Sequence, residues 1–261
     1  MSSNDFTEMG GAGASFLTTR WSIIEQVGSD SPADQNQALI AELIKQYWKP
    51  VYCYLRRRGY ANEEAKDAVQ GFFEEVVLGR ELIQQADKTK GRFRTFLLFA
   101  LNRYLTAVHH MEAARKRIPR DKLVCLDAVD QLELADTAPG RTPEDSFNQA
   151  WVSNLLERVL DHVKADCYED GKTVHWHIFW DRVVAPIMNE TAPPSMEDLC
   201  HKFGITDPVK ASNMIVTVKR RFQSVLKQAL RNSVTSDEEM EEELAEMAGF
   251  LPRLAQDDER L

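Results

Sequence analysis

Residues 62–78 are spaced for a helix with one wide apolar face. Ala65, Val69, Phe72, Phe73 and Val76 recur at three- and four-residue steps. Asp67, Gln70 and Glu74 form a polar stripe on the other side. Asn62 is the expected N-cap, with Glu63 and Glu64 favourably placed in the first turn. Gly71 lies inside this helix, where glycine costs about 1 kcal/mol relative to alanine. The cost is offset if another group approaches the backbone closely there. An amphipathic core helix accounts for the stretch on its own.

The same periodicity extends through most of the chain. Thr19 caps an expected short helix that ends at Gly28, with Trp21, Ile24 and Val27 inward. A long helix ending at Arg58 carries Ile40, Leu43, Ile44, Tyr47, Val51 and Leu55 inward and is expected to kink at Pro50. Arg56, Arg57 and Arg58 suit its negative end, and Gly59 its left-handed cap. After a polar loop, a third helix from Phe93 to Arg117 buries Phe93, Leu97, Ala100, Tyr104, Val108 and Met111. Pro119 stops it. Nothing before residue 120 reads as strand, so the expected class is all-α.

From Asp121 to Pro143 the periodicity lapses among prolines, a glycine and acidic residues, which reads as a linker. Helices are expected again over Ser146–Lys164 and Val174–Met188. Beyond them the punctuation is dense. Ser195 caps MEDLCHKF, with Asp198 three residues on; Gly204 ends that helix; Asp207 caps the next, and Pro208 takes its first position. A short helix, a glycine turn and a longer helix make a helix-turn-helix.

Composition narrows the function. With 261 residues, 43% of them hydrophobic and 28% charged, the chain suits two modest globular domains. No apolar run approaches the roughly 20 residues that span a bilayer, and the N-terminus lacks a signal-peptide pattern. The expected location is cytoplasmic, without membrane insertion. Cys53, Cys125, Cys167 and Cys200 form no CxxC pair, and His175 and His177 point to different faces. No metal or cofactor is expected. Clustered carboxylates such as Glu63, Glu64, Asp67, Glu74 and Glu75 could serve an all-helical enzyme. They lack an ExxH pair and any nucleophile–base arrangement, so no catalytic residue is assigned.

The formal charge of −9 hides two basic segments. Residues 92–122 hold Arg92, Arg94, Arg103, Arg115, Lys116, Arg117, Arg120 and Lys122 against only Glu112 and Asp121. Residues 208–231 hold Lys210, Lys219, Arg220, Arg221, Lys227 and Arg231 and no acid. Negative charge is concentrated in the tail, Asp237 to Glu246, which reads most simply as a solvated helix. Two basic segments in an acidic chain resemble two footprints on a polyanion.

WKPVYCYLRRRGY, NEEAKDAVQGFFEEVV and ADKTKGRFRTFLLFALNRYL together resemble region 2 of bacterial RNA polymerase sigma factors of the extracytoplasmic-function class. MEDLCHKFGI and VKASNMIVTVKRRFQSVLKQALRNSVTSDEEMEEEL resemble region 4 of the same class, in a long variant with an acidic C-terminal extension. The resemblance implies two all-α domains joined by an acidic linker. It divides the chain into a leader and short helix (1–33), a three- or four-helix region 2 (34–120), a linker (121–145), a helix-turn-helix region 4 (146–233) and an acidic extension (234–261).

The implied function is transcription initiation, through binding of core RNA polymerase and promoter DNA. Asp67, Gln70, Gly71, Phe72, Phe73 and Glu74 would meet the clamp helices of the β′ subunit, and region 4 would meet the β flap. Asp87, Lys88, Arg92, Phe93 and Arg94 would recognise and open the minus-ten element, with Arg103, His110 and Arg117 on its backbone. Lys210, Ser212, Asn213 and Thr217 would read the minus-thirty-five element, with Lys219, Arg220 and Arg221 on phosphates. The resemblance leaves room for an anti-sigma factor or another regulator as a partner. Two alternatives stand beside this reading: a helix-turn-helix regulator that does not engage polymerase, and a sigma-like scaffold acting through protein contacts. The start of the recognition helix, Ala211-Ser212-Asn213-Met214-Ile215, carries few charged readers and keeps the second alive.

Overall fold

Eight helices carry the described part of the chain, a computed structural model that describes residues 33–78, 92–115, 142–231 and 237–250. They are α1 (Ala33–Arg57), α2 (Asn62–Phe72), α3 (Phe93–Arg115), α4 (Pro143–Glu169), α5 (Thr173–Phe179), α6 (Met196–Phe203), α7 (Pro208–Arg231) and α8 (Asp237–Phe250). A π-helical turn, Phe73–Leu78, extends α2, and another, Trp180–Val184, leads from α5 into the short helical segment Ala185–Met188. Among the described residues there is no strand, and the class is all-α. The helix expected at residues 20–27, the loop at 79–91 and most of the linker lie outside the described residues.

α1 runs through Pro50 as one helix, and every residue from Val51 to Leu55 is buried. Gly59 follows in the left-handed region at φ 95°, as a C-terminal cap requires. α2 begins one residue differently from expectation. Ala61 is the cap, its N–H bonded to the Glu64 carboxylate at 3.1 Å. Asn62 instead accepts from the Tyr52 hydroxyl at 2.6 Å, tying α2 to α1.

α4 starts earlier and ends later than its apolar pattern suggests. Thr142 accepts from Asp145 N–H at 3.1 Å, Asp145 accepts from Thr142 N–H at 2.9 Å, and Pro143 opens the helix. The first half of α4 packs against α1: Phe147 stacks on Tyr47 at 6.3 Å, and the Tyr54 hydroxyl lies 3.3 Å from Glu144. Its second half packs against α5 and α7. One continuous cluster of buried side chains therefore passes from Val51 and Leu55 through Phe147, Leu155 and Val163 to Ile178, Val218 and Leu230. α4 crosses between the segments expected as separate units.

α3 buries Phe93, Leu97, Leu101 and Leu105. The expected stripe drifts: Ala100, Tyr104 and Val108 are half-buried and Met111 is exposed. The largest departure is the tail. α8 is not a solvated helix. Glu243 and Met247 are each 2% exposed, and Met240 and Leu244 pack against the core. No described helix is long and apolar enough to cross a membrane.

Candidate nucleic-acid and partner interface

The helix-turn-helix is built by short-range bonds. The Ser195 hydroxyl accepts from Asp198 N–H at 3.1 Å, and the Asp198 carboxylate accepts from Ser195 N–H at 3.3 Å. Gly204 adopts φ 65°, which lets Ile205 N–H reach the Cys200 carbonyl at 2.8 Å and ends α6. Asp207 Oδ1 accepts from Val209 N–H at 2.9 Å, and Pro208 opens α7. Ala211, Ile215, Val218, Val225, Ala229 and Leu230 seat α7 on the core.

That seating leaves Lys210, Ser212, Asn213, Thr217, Lys219 and Arg220 exposed. Two of the seven named residues are partly engaged within the fold. Thr217 Oγ1 donates to the Asn213 carbonyl at 2.8 Å. Arg221 is half-buried and bonds the Asp170 carboxylate at 2.5 Å, close to the Cys167 thiol. Its guanidinium anchors α7 to the end of α4. Arg221 in turn lowers the Asp170 carboxyl below the usual range, chiefly by that hydrogen bond, with Lys172 adding to it. His175, partly desolvated and close to Lys172 and Lys210, is held below the ordinary histidine value. Sequence reasoning missed Val209 and Val216, exposed apolar residues on the same helix. Their spacing of seven around Asn213 was the available signal.

On α2, Asp67, Gln70 and Glu74 are exposed, and Gln70 Nε2 donates to Glu74 Oε1 at 2.9 Å. The other expected contacts of this surface are internal. Phe72 and Phe73 are buried, their rings 5.4 Å apart edge to face. They support the stripe from beneath and offer no surface to a partner. The close approach at Gly71 is also internal, since a Cβ there would run into the Tyr104 phenol oxygen. Burial, followed by the charges of Glu75 and Glu74, pushes the Tyr104 hydroxyl above its usual range.

The third group divides. Asp87, Lys88 and Arg117 lie outside the described residues. Arg103 and His110 are exposed on α3. Phe93 is core, 5.6 Å from Tyr47 edge to face. Arg94, expected on DNA, is buried: its guanidinium lies 4.7 Å over the Trp151 ring. It pairs with Glu243, and with Glu246 at 2.8 Å. Arg92 pairs with Glu243 at 2.9 Å, with Glu242 at 3.8 Å and with Glu246. Burial pushes the Glu243 carboxyl upward, while Arg94 and Arg92 pull it back.

Among the described residues no cluster of histidine, cysteine and carboxylate side chains could hold a metal ion. A cavity of about 260 Å³ lies between the Trp180–Val184 turn and α6, lined by Asp181, Pro186, Pro194, Asp198 and Lys202 among others. No family model, curated protein or solved structure matches the chain.

Proposed function

We propose that the protein is a transcription initiation factor of the sigma type. In this reading the exposed stripe of α2 meets core RNA polymerase, residues around the start of α3 act at the minus-ten element, and α7 reads the minus-thirty-five element. The observation that carries it is the presentation of α7. A helix without an acidic residue is seated by its apolar face and directs Lys210, Asn213, Lys219 and Arg220 to solvent from a capped helix-turn-helix. In that geometry the first turns enter a major groove and later cations hold phosphates. The Asp67–Gln70–Glu74 stripe supports a second, protein-facing surface, since it is polar, exposed and backed by buried Phe72 and Phe73.

Val209, Asn213 and Val216 add a base preference. Apolar side chains contact thymine methyl groups, and asparagine pairs with adenine, so this face favours A·T over G·C pairs. The test is association with core RNA polymerase, comparing the wild-type chain with Asp67→Ala/Gln70→Ala. The expected result is wild-type binding that the double variant weakens by about tenfold, or 1.4 kcal/mol. A wild-type chain that ignores core enzyme would overturn the reading. Specific duplex binding without polymerase would then make it a stand-alone regulator.

A further inference from the structure

α3 opens without an acidic residue in its first turn, and the half-buried Arg92 just before it stands beside Arg94. Both guanidinium groups are held in place. Arg94 is 7% exposed and fixed over Trp151, and Arg92 is 25% exposed. Planar guanidinium forks of this kind bind carboxylate and phosphate oxygens alike. Here Glu242, Glu243 and Glu246, one turn of α8, fill them through five ion pairs.

We propose that Arg92 and Arg94 form a nucleic-acid phosphate site that the chain's own C-terminal helix occupies. α8 is then an internal competitor that must leave before this surface can hold a DNA strand. This rests on the initiation-factor reading, in which the start of α3 faces promoter DNA.

Three features favour a displaceable plug over a permanent part of the core. Among the described side chains of α8, the apolar attachment consists of Met247, which is buried, and of Met240 and Leu244, which are partly so. The described polar grip is ionic, and desolvation of a buried carboxylate cancels much of the attraction it gains. Glu238, Glu241 and Glu242 meanwhile stay exposed, so the docked helix turns a basic surface into an acidic one. Release therefore reverses the sign of the field that a polyanion meets.

The test is binding of the full-length chain to a fluorescently labelled single-stranded DNA of about 20 nucleotides, followed by anisotropy. Glu243→Gln/Glu246→Gln is compared with Glu238→Gln/Glu241→Gln, which removes the same charge from exposed positions. The first pair should tighten binding about tenfold and the second less than about twofold; adding Arg92→Gln/Arg94→Gln should abolish the gain. If the first pair does not fold, Glu246→Gln alone, at a 37% exposed position, should give a smaller gain in the same direction. Equal gains from both pairs, no gain from the Glu243/Glu246 variants, or a gain that survives loss of the two arginines would overturn the plug. Core-polymerase association of the same variants separates the two proposals. Intact core binding without a DNA gain refutes the plug alone, and absent core binding by every variant refutes the initiation-factor reading.

Discussion

α3 and α7 both belong to basic segments of the sequence, yet the structure treats their cations in opposite ways. On α7, Lys210, Lys219 and Arg220 face solvent, and Arg221 alone of the expected contacts is taken by the anchoring pair with Asp170. On α3, Arg92 and Arg94 are filled by three glutamates of α8. The charge of a segment therefore does not reveal whether that charge is available. Availability depends on which acids the fold brings opposite. α7 is seated on the core by its apolar side, whereas the start of α3 lies where α8 comes to rest.

The largest effect is expected at the buried Arg94–Glu243 pair. Arg94→Ala leaves Glu243 buried with one guanidinium fewer and should lower unfolding stability by about 3 kcal/mol. Arg220→Ala on the exposed face should change it by less than about 0.5 kcal/mol. Urea unfolding of both variants checks the contrast, and equal losses would mean that the two arginines are held alike.

The next largest effects are expected at two glycines. Gly71→Ala drives a methyl into the Tyr104 phenol and should cost about 2 kcal/mol. Gly204→Ala meets no neighbour but strains a φ of 65°, and should cost about 1 kcal/mol. Thermal denaturation ranks the two, and Tyr104→Phe should relieve part of the Gly71→Ala loss and none of the Gly204→Ala loss.

The smallest effect concerns pH. His175 is held below its ordinary value by burial and by Lys172 and Lys210, so the unfolded chain binds its proton more readily than the folded one. The stability it contributes is present above about pH 6.5 and falls as pH drops through that unfolded value. An NMR titration should place the His175 midpoint below the ordinary histidine value. Lys210→Ala should move the midpoint upward.

Much of this architecture was legible in the chain. Ser195 with Asp198, Gly204, and Asp207 with Pro208 each act within a few residues, so the helix-turn-helix was readable almost to the residue. The Thr142–Pro143–Asp145 cap carried the same kind of signal within a stretch that composition marked as linker, and α4 began there. Gly71 announced a close approach, but not that Tyr104 would make it. The polar stripe of α2 was readable from periodicity. The placement of Phe72 and Phe73 beneath that stripe, away from any partner, followed from packing.

The sequence by itself determined the helices, their caps and the segregation of charge, because these depend on bonds and periodicities spanning three or four residues. Tertiary structure decided which charges remain accessible. Arg94 and Glu243 are separated by 149 positions and meet only when α3, α4 and α8 converge on Trp151 and Met247. Local pattern cannot encode such a meeting, since it is fixed by the shape of the packed core.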